Sequence, residues 1–328
     1  MVKTILSFLL AISLAAATLA QSGDPLSTAL NAVVGVTAEI PETARTAAFL
    51  GRHREGSGVV IDDSGLIVTI GYLILEANKI EVTDRKGSTS GATFVGYDPN
   101  SGVGMIRANR PLDAGPIAFG ASSRMKRRDP VMIVQFSAEN PAVSGVVVSR
   151  RNFAGYWEYL LEDAIFAFPP IRNFAGAALL NRDFELVGIG HLFVGDAAGE
   201  DTNMAGNMYV PADRVLAVMA DLIAVGRPSG PAKPWLGVNL REALGRVVIS
   251  RVSRGGPAEK SGLLPGDFIL RVGGEKFGGL EEFYRKLWRL GSAGVEVPLQ
   301  VLQGSDVRLV KVITRERFSR TRAVVPGK

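Results

Sequence analysis

The chain has 328 residues, 47% of them hydrophobic and 21% charged, with a formal net charge of +5. That composition is ordinary for a globular protein of about two domains, and it excludes disordered, collagen-like and coiled-coil chains. There is no cysteine, and the two histidines are His53 and His191. Disulfides, thiolate zinc sites and a cysteine nucleophile are therefore excluded, and any imidazole chemistry must use one of those two residues.

Residues 1–20, MVKTILSFLLAISLAAATLA, begin with the positive Lys3, continue as a short apolar run and end in small residues. This is the pattern of a secretory signal peptide cleaved after Ala17 or Ala20. The competing reading is an uncleaved anchor, but the alanine-rich end suits a cleavage site better. The mature protein is thus expected to be secreted across the inner membrane, periplasmic if the source is Gram-negative, with no stable membrane span after cleavage. The densest basic cluster is Arg124, Lys126, Arg127 and Arg128, with Arg150 and Arg151 beyond it. No aromatics are interleaved for base stacking, so a solvated loop is expected and no nucleic-acid partner.

From residue 58 the chain reads as short β segments. Residues 59–61 and 66–70 flank the turn DDSG, which predicts a hairpin. Further strands are predicted at 80–83, 92–96, 104–107, 131–135, 145–149 and 186–190, a spacing that argues for barrels or sandwiches and not βαβ units. Apolar residues at Val215, Leu216, Val218, Met219 and Leu222 predict a helix over 213–225. Residues 226–234, GRPSGPAKP, form a Pro/Gly linker. The second unit has predicted strands at 236–240, 246–252, 268–272, 297–302 and 307–313, with a helix over 280–290.

In that unit, residues 254–274, RGGPAEKSGLLPGDFILRVGG, resemble the core of a PDZ domain, whose pattern is SPA-x-x-AGL-x-x-GD-x-I-x-x-V-[ND]-G. Pro257 opens a helical turn, Gly262 ends it, and Pro265-Gly266-Asp267 turns into a strand. Upstream, KPWLGV at 233–238 resembles the family's carboxylate-binding loop and the strand after it. The resemblance implies a groove of Trp235, Leu236, Gly237, Val238 and Asn239 facing Phe283, Tyr284 and Leu287 of the helix. A peptide or protein C-terminus would add there as a strand, its carboxylate held by loop amides. For Phe283 the groove and a plain core position are equally open.

Three stretches of the first unit resemble HtrA/DegP-type serine proteases, a chymotrypsin-like family. Residues 56–75, GSGVVIDDSGLIVTIGYLIL, look like GSGvIID-x-x-GyIvTNxHVV. Residues 95–107, VGYDPNSGVGMIR, look like vGxDPxTDLAvlK. Residues 173–181, NFAGAALLN, followed by ELVGIG at 185–190, look like GNSGGPLvN and GevIGI. The implied fold is mainly β: a chymotrypsin-like double β-barrel over 26–225, the linker 226–234, a PDZ domain over 235–316 (a small α+β sandwich with two helices) and a basic tail over 317–328.

The same alignment puts Tyr72 where the family has its His, Gly102 where it has its Asp and Ala175 where it has its Ser. Nucleophile, general base and orienting carboxylate are then all missing. Asn173 and Phe174 stand at the oxyanion positions, and Pro169 and Pro170 remove two amide donors from the approach. Phe174 is expected to fill space where substrate would lie. His53 and Ser57 are near in sequence, but the Gly-Ser-Gly segment of this family is structural, and His191 has no motif-bearing nucleophile beside it. The pairs Asp62-Asp63 and Glu281-Glu282 point apart. No metal or cofactor site is expected.

The resemblance therefore implies an exported, triad-less pseudoprotease that binds peptides and protein C-termini through its PDZ domain. It would act as adaptor, regulator or chaperone-like factor in envelope protein quality control, with active HtrA-type homologues among its partners. The alternative is an active serine endopeptidase with a rearranged site. Residues 24–40 are either a trimer contact of the kind this family uses or the first strand.

Overall fold

The computed structural model describes residues 24–199, 202–243 and 245–318. The expected signal peptide and residues 319–328 of the expected basic tail lie outside the described residues. Residues 25–39 form helix α1 (Pro25–Ala32) and strand β1 (Val33–Glu39). The short helix α2 (Ala47–Leu50) leads to β2 (His53–Val60) and β3 (Leu66–Ile70). Asp62 builds the turn between these strands: its carboxylate accepts from the N–H of Ser64 and of Leu66, both at 2.9 Å. That is an Asx turn, and Gly65 completes it at φ 77°.

One turn of helix, α3 (Gly71–Ile74), precedes β4 (Lys79–Thr83), β5 (Thr89–Tyr97) and β6 (Val103–Ala108). The six strands close into a barrel in the order β1-β2-β3-β6-β5-β4. A second closed barrel follows: β7 (Pro130–Val134), β8 (Ala142–Gly155), β9 (Tyr159–Phe168), β10 (Ala178–Leu180), β11 (Leu186–Val194) and β12 (Gly206–Pro211), in the order β10-β11-β12-β9-β8-β7. Closure leaves neither sheet with an unpaired edge.

Strands β9, β10 and β12 were not among the predicted elements. Every residue of β10 and β12 is buried, as are seven of the ten residues of β9 counted from its burial pattern BBBieBBBBe. A strand buried on both faces loses the apolar–polar alternation by which a strand is read. Strand β8 also runs longer than the predicted 145–149, and its far end meets the second unit.

Helix α4 (Ala212–Val225) returns to the first barrel and ends at Gly226, which takes φ 75°. Residues 226–234 then cross to the second unit, with the Gly226 carbonyl accepting from Tyr97 N–H at 3.1 Å. That unit comprises β13 (Val238–Ala243), β14 (Arg246–Val252), α5 (Pro257–Lys260), β15 (Phe268–Val272), α6 (Leu280–Arg289), β16 (Glu296–Gln303) and β17 (Asp306–Ile313). Its sheet runs β13-β14-β15-β16-β17, which leaves β13 at an edge. Strand β13 starts two residues later than predicted, because Gly237 at φ 85° keeps the backbone before it in a loop. Helix α6 buries Leu280, Phe283, Tyr284 and Leu287, one stripe at i, i+3, i+4 and i+7. Each such side chain stabilises the unit by roughly 1.5–3 kcal/mol. The expected mainly β architecture, two barrels and a PDZ fold, is the one observed.

Candidate functional site

The three positions that the motif alignment equates with a triad, Tyr72, Gly102 and Ala175, lie near one another. Gly71 donates its N–H to the Gly102 carbonyl at 2.7 Å, which ties the residue before Tyr72 to the second position. Ser57 N–H donates to the Ala175 carbonyl at 2.8 Å, and Gly56 passes so close that a Cβ there would lie 2.6 Å from Leu73 and 3.2 Å from the Ala175 methyl. These segments are therefore held close together, and Gly176 shows how tightly. It takes φ 72°, and a Cβ on it would stand 1.9 Å from the Ser57 carbonyl oxygen. Only glycine fits there.

His191, on β11, occupies the middle of this site. A Cβ on Gly102 would lie 3.0 Å from its Nε2, so the imidazole fills the space that a side chain at the carboxylate position would need. Tyr72 donates its hydroxyl to the His191 backbone carbonyl at 2.8 Å. The rings of Tyr72, Tyr159 and Trp157 surround the imidazole at centroid distances of 5.7, 5.3 and 6.4 Å. His191 Nδ1 is buried without a hydrogen-bond partner. Burial in this aromatic box lowers its pKa to about 4, so the ring is neutral at neutral pH. Burial pushes the Tyr72 phenol in the opposite sense, further above its usual value, and removes it as a base.

Asn173 is exposed, and Phe174 and Ala175 are half-buried. The Phe174 ring packs against the apolar cluster of the second barrel with Met125, Ile171 and Leu179. Its carbonyl accepts from Ala177 N–H at 3.0 Å within the turn. His53 Nδ1 lies 2.7 Å from Glu39 Oε1 at the surface, while the buried Ser57 hydroxyl accepts from Phe136 N–H at 2.9 Å. Those two residues do not form a pair.

The residues expected to line a PDZ groove are brought together as well. Trp235 and Asn239 are half-buried, and Leu236, Gly237, Val238, Phe283, Tyr284 and Leu287 are buried. What covers them is the tip of the β8–β9 hairpin, residues 156–158. Glu158 projects its carboxylate into the loop and accepts three backbone bonds: from Leu236 at 2.8 Å on Oε2, and from Gly237 at 2.8 Å and Val238 at 3.0 Å on Oε1. The Tyr156 carbonyl accepts from Leu240 N–H at 2.7 Å, on the free edge of β13. Tyr284 of α6 donates its hydroxyl to the Gly155 carbonyl at 2.7 Å and accepts from Glu158 N–H at 3.2 Å.

Burial raises the Glu158 carboxyl above its ordinary value, against the opposing pull of the three amides and of Arg317. Arg317 donates to the neighbouring Trp157 carbonyl at 2.7 Å. Glu158 was not among the residues read from the sequence. The available signal was a lone carboxylate in an aromatic and apolar run, FAGYWEYLL at 153–161.

Comparison with known proteins agrees with this fold. Residues 56–189 match the trypsin-like peptidase domain and residues 234–314 match the PDZ domain. The serine protease PepD of Mycobacterium tuberculosis is 28% identical over 256 residues, covering 71% of this chain and 55% of that protein. The periplasmic serine endoprotease DegP of Escherichia coli K12 is 25% identical over 236 residues, covering 67% of this chain and 48% of DegP. The chain thus spans about half the length of the curated relatives it matches. Among solved structures, the HtrA-type protease AlgW with a decapeptide superposes with a TM-score of 0.54 at 22% identity, over 89% of this chain and 98% of that one. A serine endoprotease from Yersinia pestis gives 0.53 at 22%, over 89% and 96%. Among the described residues, no helix is long and apolar enough to cross a membrane.

Proposed function

Since the chain joins a trypsin-like peptidase domain to a PDZ domain and is a homologue of the DegP/HtrA serine proteases, we propose that it binds peptides or protein C-termini and does not cleave them. It is exported, to the periplasm if the source is Gram-negative, and works there as an adaptor, regulator or chaperone-like factor for envelope proteins. What supports this reading is the set Tyr72, Gly102 and Ala175, which the motif alignment equates with the three catalytic positions. Ala175 has no atom to attack a carbonyl, Tyr72 is a phenol committed to the His191 carbonyl, and the imidazole of His191 fills the place of the orienting carboxylate.

The test is to incubate the mature protein with casein and with a fluorophosphonate probe. Neither cleavage nor labelling is expected. Label that disappears on substitution of one serine would overturn the proposal in favour of a rearranged endopeptidase.

A further inference from the structure

We infer that Glu158 is a built-in ligand of the PDZ groove, so that an external peptide with a free C-terminal carboxylate binds only by displacing the β8–β9 hairpin tip. The inference rests on the peptide-binding reading above and adds what that reading lacks: the present occupant of the site. Both features of peptide capture by a PDZ fold are reproduced from within the chain. The three consecutive amides of Leu236, Gly237 and Val238 hold a carboxylate, and the free edge of β13 donates a backbone bond to an adjacent segment through Leu240.

The hairpin also supplies apolar contact. Leu160 and Ala154 join the PDZ cluster of Leu236, Phe283 and Leu287.

The backbone shows that the tip is shaped around this carboxylate. Glu158 takes φ 56°, a left-handed conformation that L side chains seldom adopt and glycine adopts freely. A tip optimised for its turn alone would carry glycine or asparagine at this point. The carboxylate instead stands on a left-handed residue, held by three amides and by the Tyr284 hydroxyl on its own N–H. Glu158→Gly therefore removes the internal ligand without straining the turn. Glu158→Gln keeps the side-chain length but sets an NH2 group against backbone donors.

The experiment measures binding of two fluorescent decapeptide pools, random in sequence and ending in an apolar residue, one with a free C-terminal carboxylate and one amidated. The mature wild type is compared with E158G and E158Q. A peptide that must displace the hairpin has its affinity reduced by the fraction of molecules whose groove is open. The free-acid pool should therefore bind both variants at least about ten-fold more tightly than wild type, and the amidated pool should gain nothing.

Equal affinity of wild type and variants for the free-acid pool would overturn the internal-ligand inference and leave peptide binding standing. Failure of every protein to bind the free-acid pool would overturn the peptide-binding reading, and this inference with it. Amide hydrogen exchange supplies a second readout that needs no peptide. In E158G the Leu236, Gly237 and Val238 amides should exchange at least about ten-fold faster, and the free-acid pool should restore their protection. Unchanged protection in folded E158G would also overturn the inference.

Discussion

At the positions proposed as catalytic in the peptidase unit the side-chain atoms that would react are missing, whereas at the loop proposed to hold a carboxylate in the PDZ unit the atoms that would bind are present and engaged. The difference follows from what each site is made of. A triad is built from a hydroxyl, an imidazole and a carboxylate, and the residues Ala175, Tyr72 and Gly102 supply none of them in working order. A carboxylate loop is built from backbone N–H groups, which every residue except proline carries. Leu236, Gly237 and Val238 therefore keep all three donors whatever their side chains are. Buried donors without acceptors cost about 1–3 kcal/mol each, so a loop packed beneath the hairpin needs a carboxylate, and Glu158 provides it.

The largest effect expected from substitution lies in the peptidase unit and tests whether only its chemistry has gone. Gly176→Ala puts a Cβ 1.9 Å from the Ser57 carbonyl at φ 72°. It should destabilise the protein by about 4 kcal/mol or more in chemical denaturation. Ala175→Ser, one residue earlier, should change stability by less than about 1 kcal/mol and create no activity on casein. A scaffold that tolerated Gly176→Ala would mean that the framework had relaxed along with the triad.

The next effect uses His191 as an internal probe of the same site. Its pKa falls to about 4 in the fold from an ordinary 6.5, so the unfolded chain binds the extra proton first. Stability should drop as pH falls from 6.5 towards 4 and level off below that, by roughly 3 kcal/mol in all. Carboxylate protonation adds to the acid response, so the diagnostic is the difference from His191→Leu, in which this component is missing. Equal pH slopes for the two proteins would mean that the imidazole is charged or solvated, contrary to its closed aromatic box.

The sequence made one of these two sites more legible than the other. The hairpin at Asp62, the α6 stripe and the strands at 246–252 and 268–272 were readable because turn chemistry and periodicity are local. The proposed replacement of the triad rests on motif spacing, which is local too. His191 was read as following the strand at 186–190, whereas it lies within β11, and nothing near it in sequence says that it faces Gly102, some ninety positions away. Glu158 lay deeper still. Its three amide partners are about eighty residues downstream, as the separations of 78 to 80 record, and its own neighbours look like core. Strands β10 and β12 escaped because full burial erases alternation.

A smaller effect separates the hairpin's buried contacts from its surface ones. Tyr284→Phe removes the bond to the Gly155 carbonyl and the acceptor for Glu158 N–H, leaving two backbone groups unpaired in a buried interface. A loss of about 2 kcal/mol is expected. It should appear as freer exchange of the tip amides, and as peptide affinity raised in the same direction as in E158G.

The smallest effect concerns Glu162 of β9, whose carboxylate is turned toward the PDZ unit. It pairs with Arg285 of α6 at 2.7 Å and with Arg214 of α4 at 3.3 Å, but its side chain is 42% exposed. The bond from Arg285 is the main cause that holds its carboxyl below the ordinary value. Its contribution is therefore present above the unfolded pKa and lost as pH falls through the folded one. Solvent screening limits that contribution to less than about 1 kcal/mol, and it should vanish near 1 M salt, where the Debye length is about 3 Å. Glu162→Gln should accordingly be almost silent in denaturation at high salt, while Glu158→Gly keeps its effect there, because burial shields the three amide bonds from screening. If the two variants responded alike to salt, the Glu158 carboxylate would have to be solvated, and the carboxylate loop would be open to water without displacement of the hairpin.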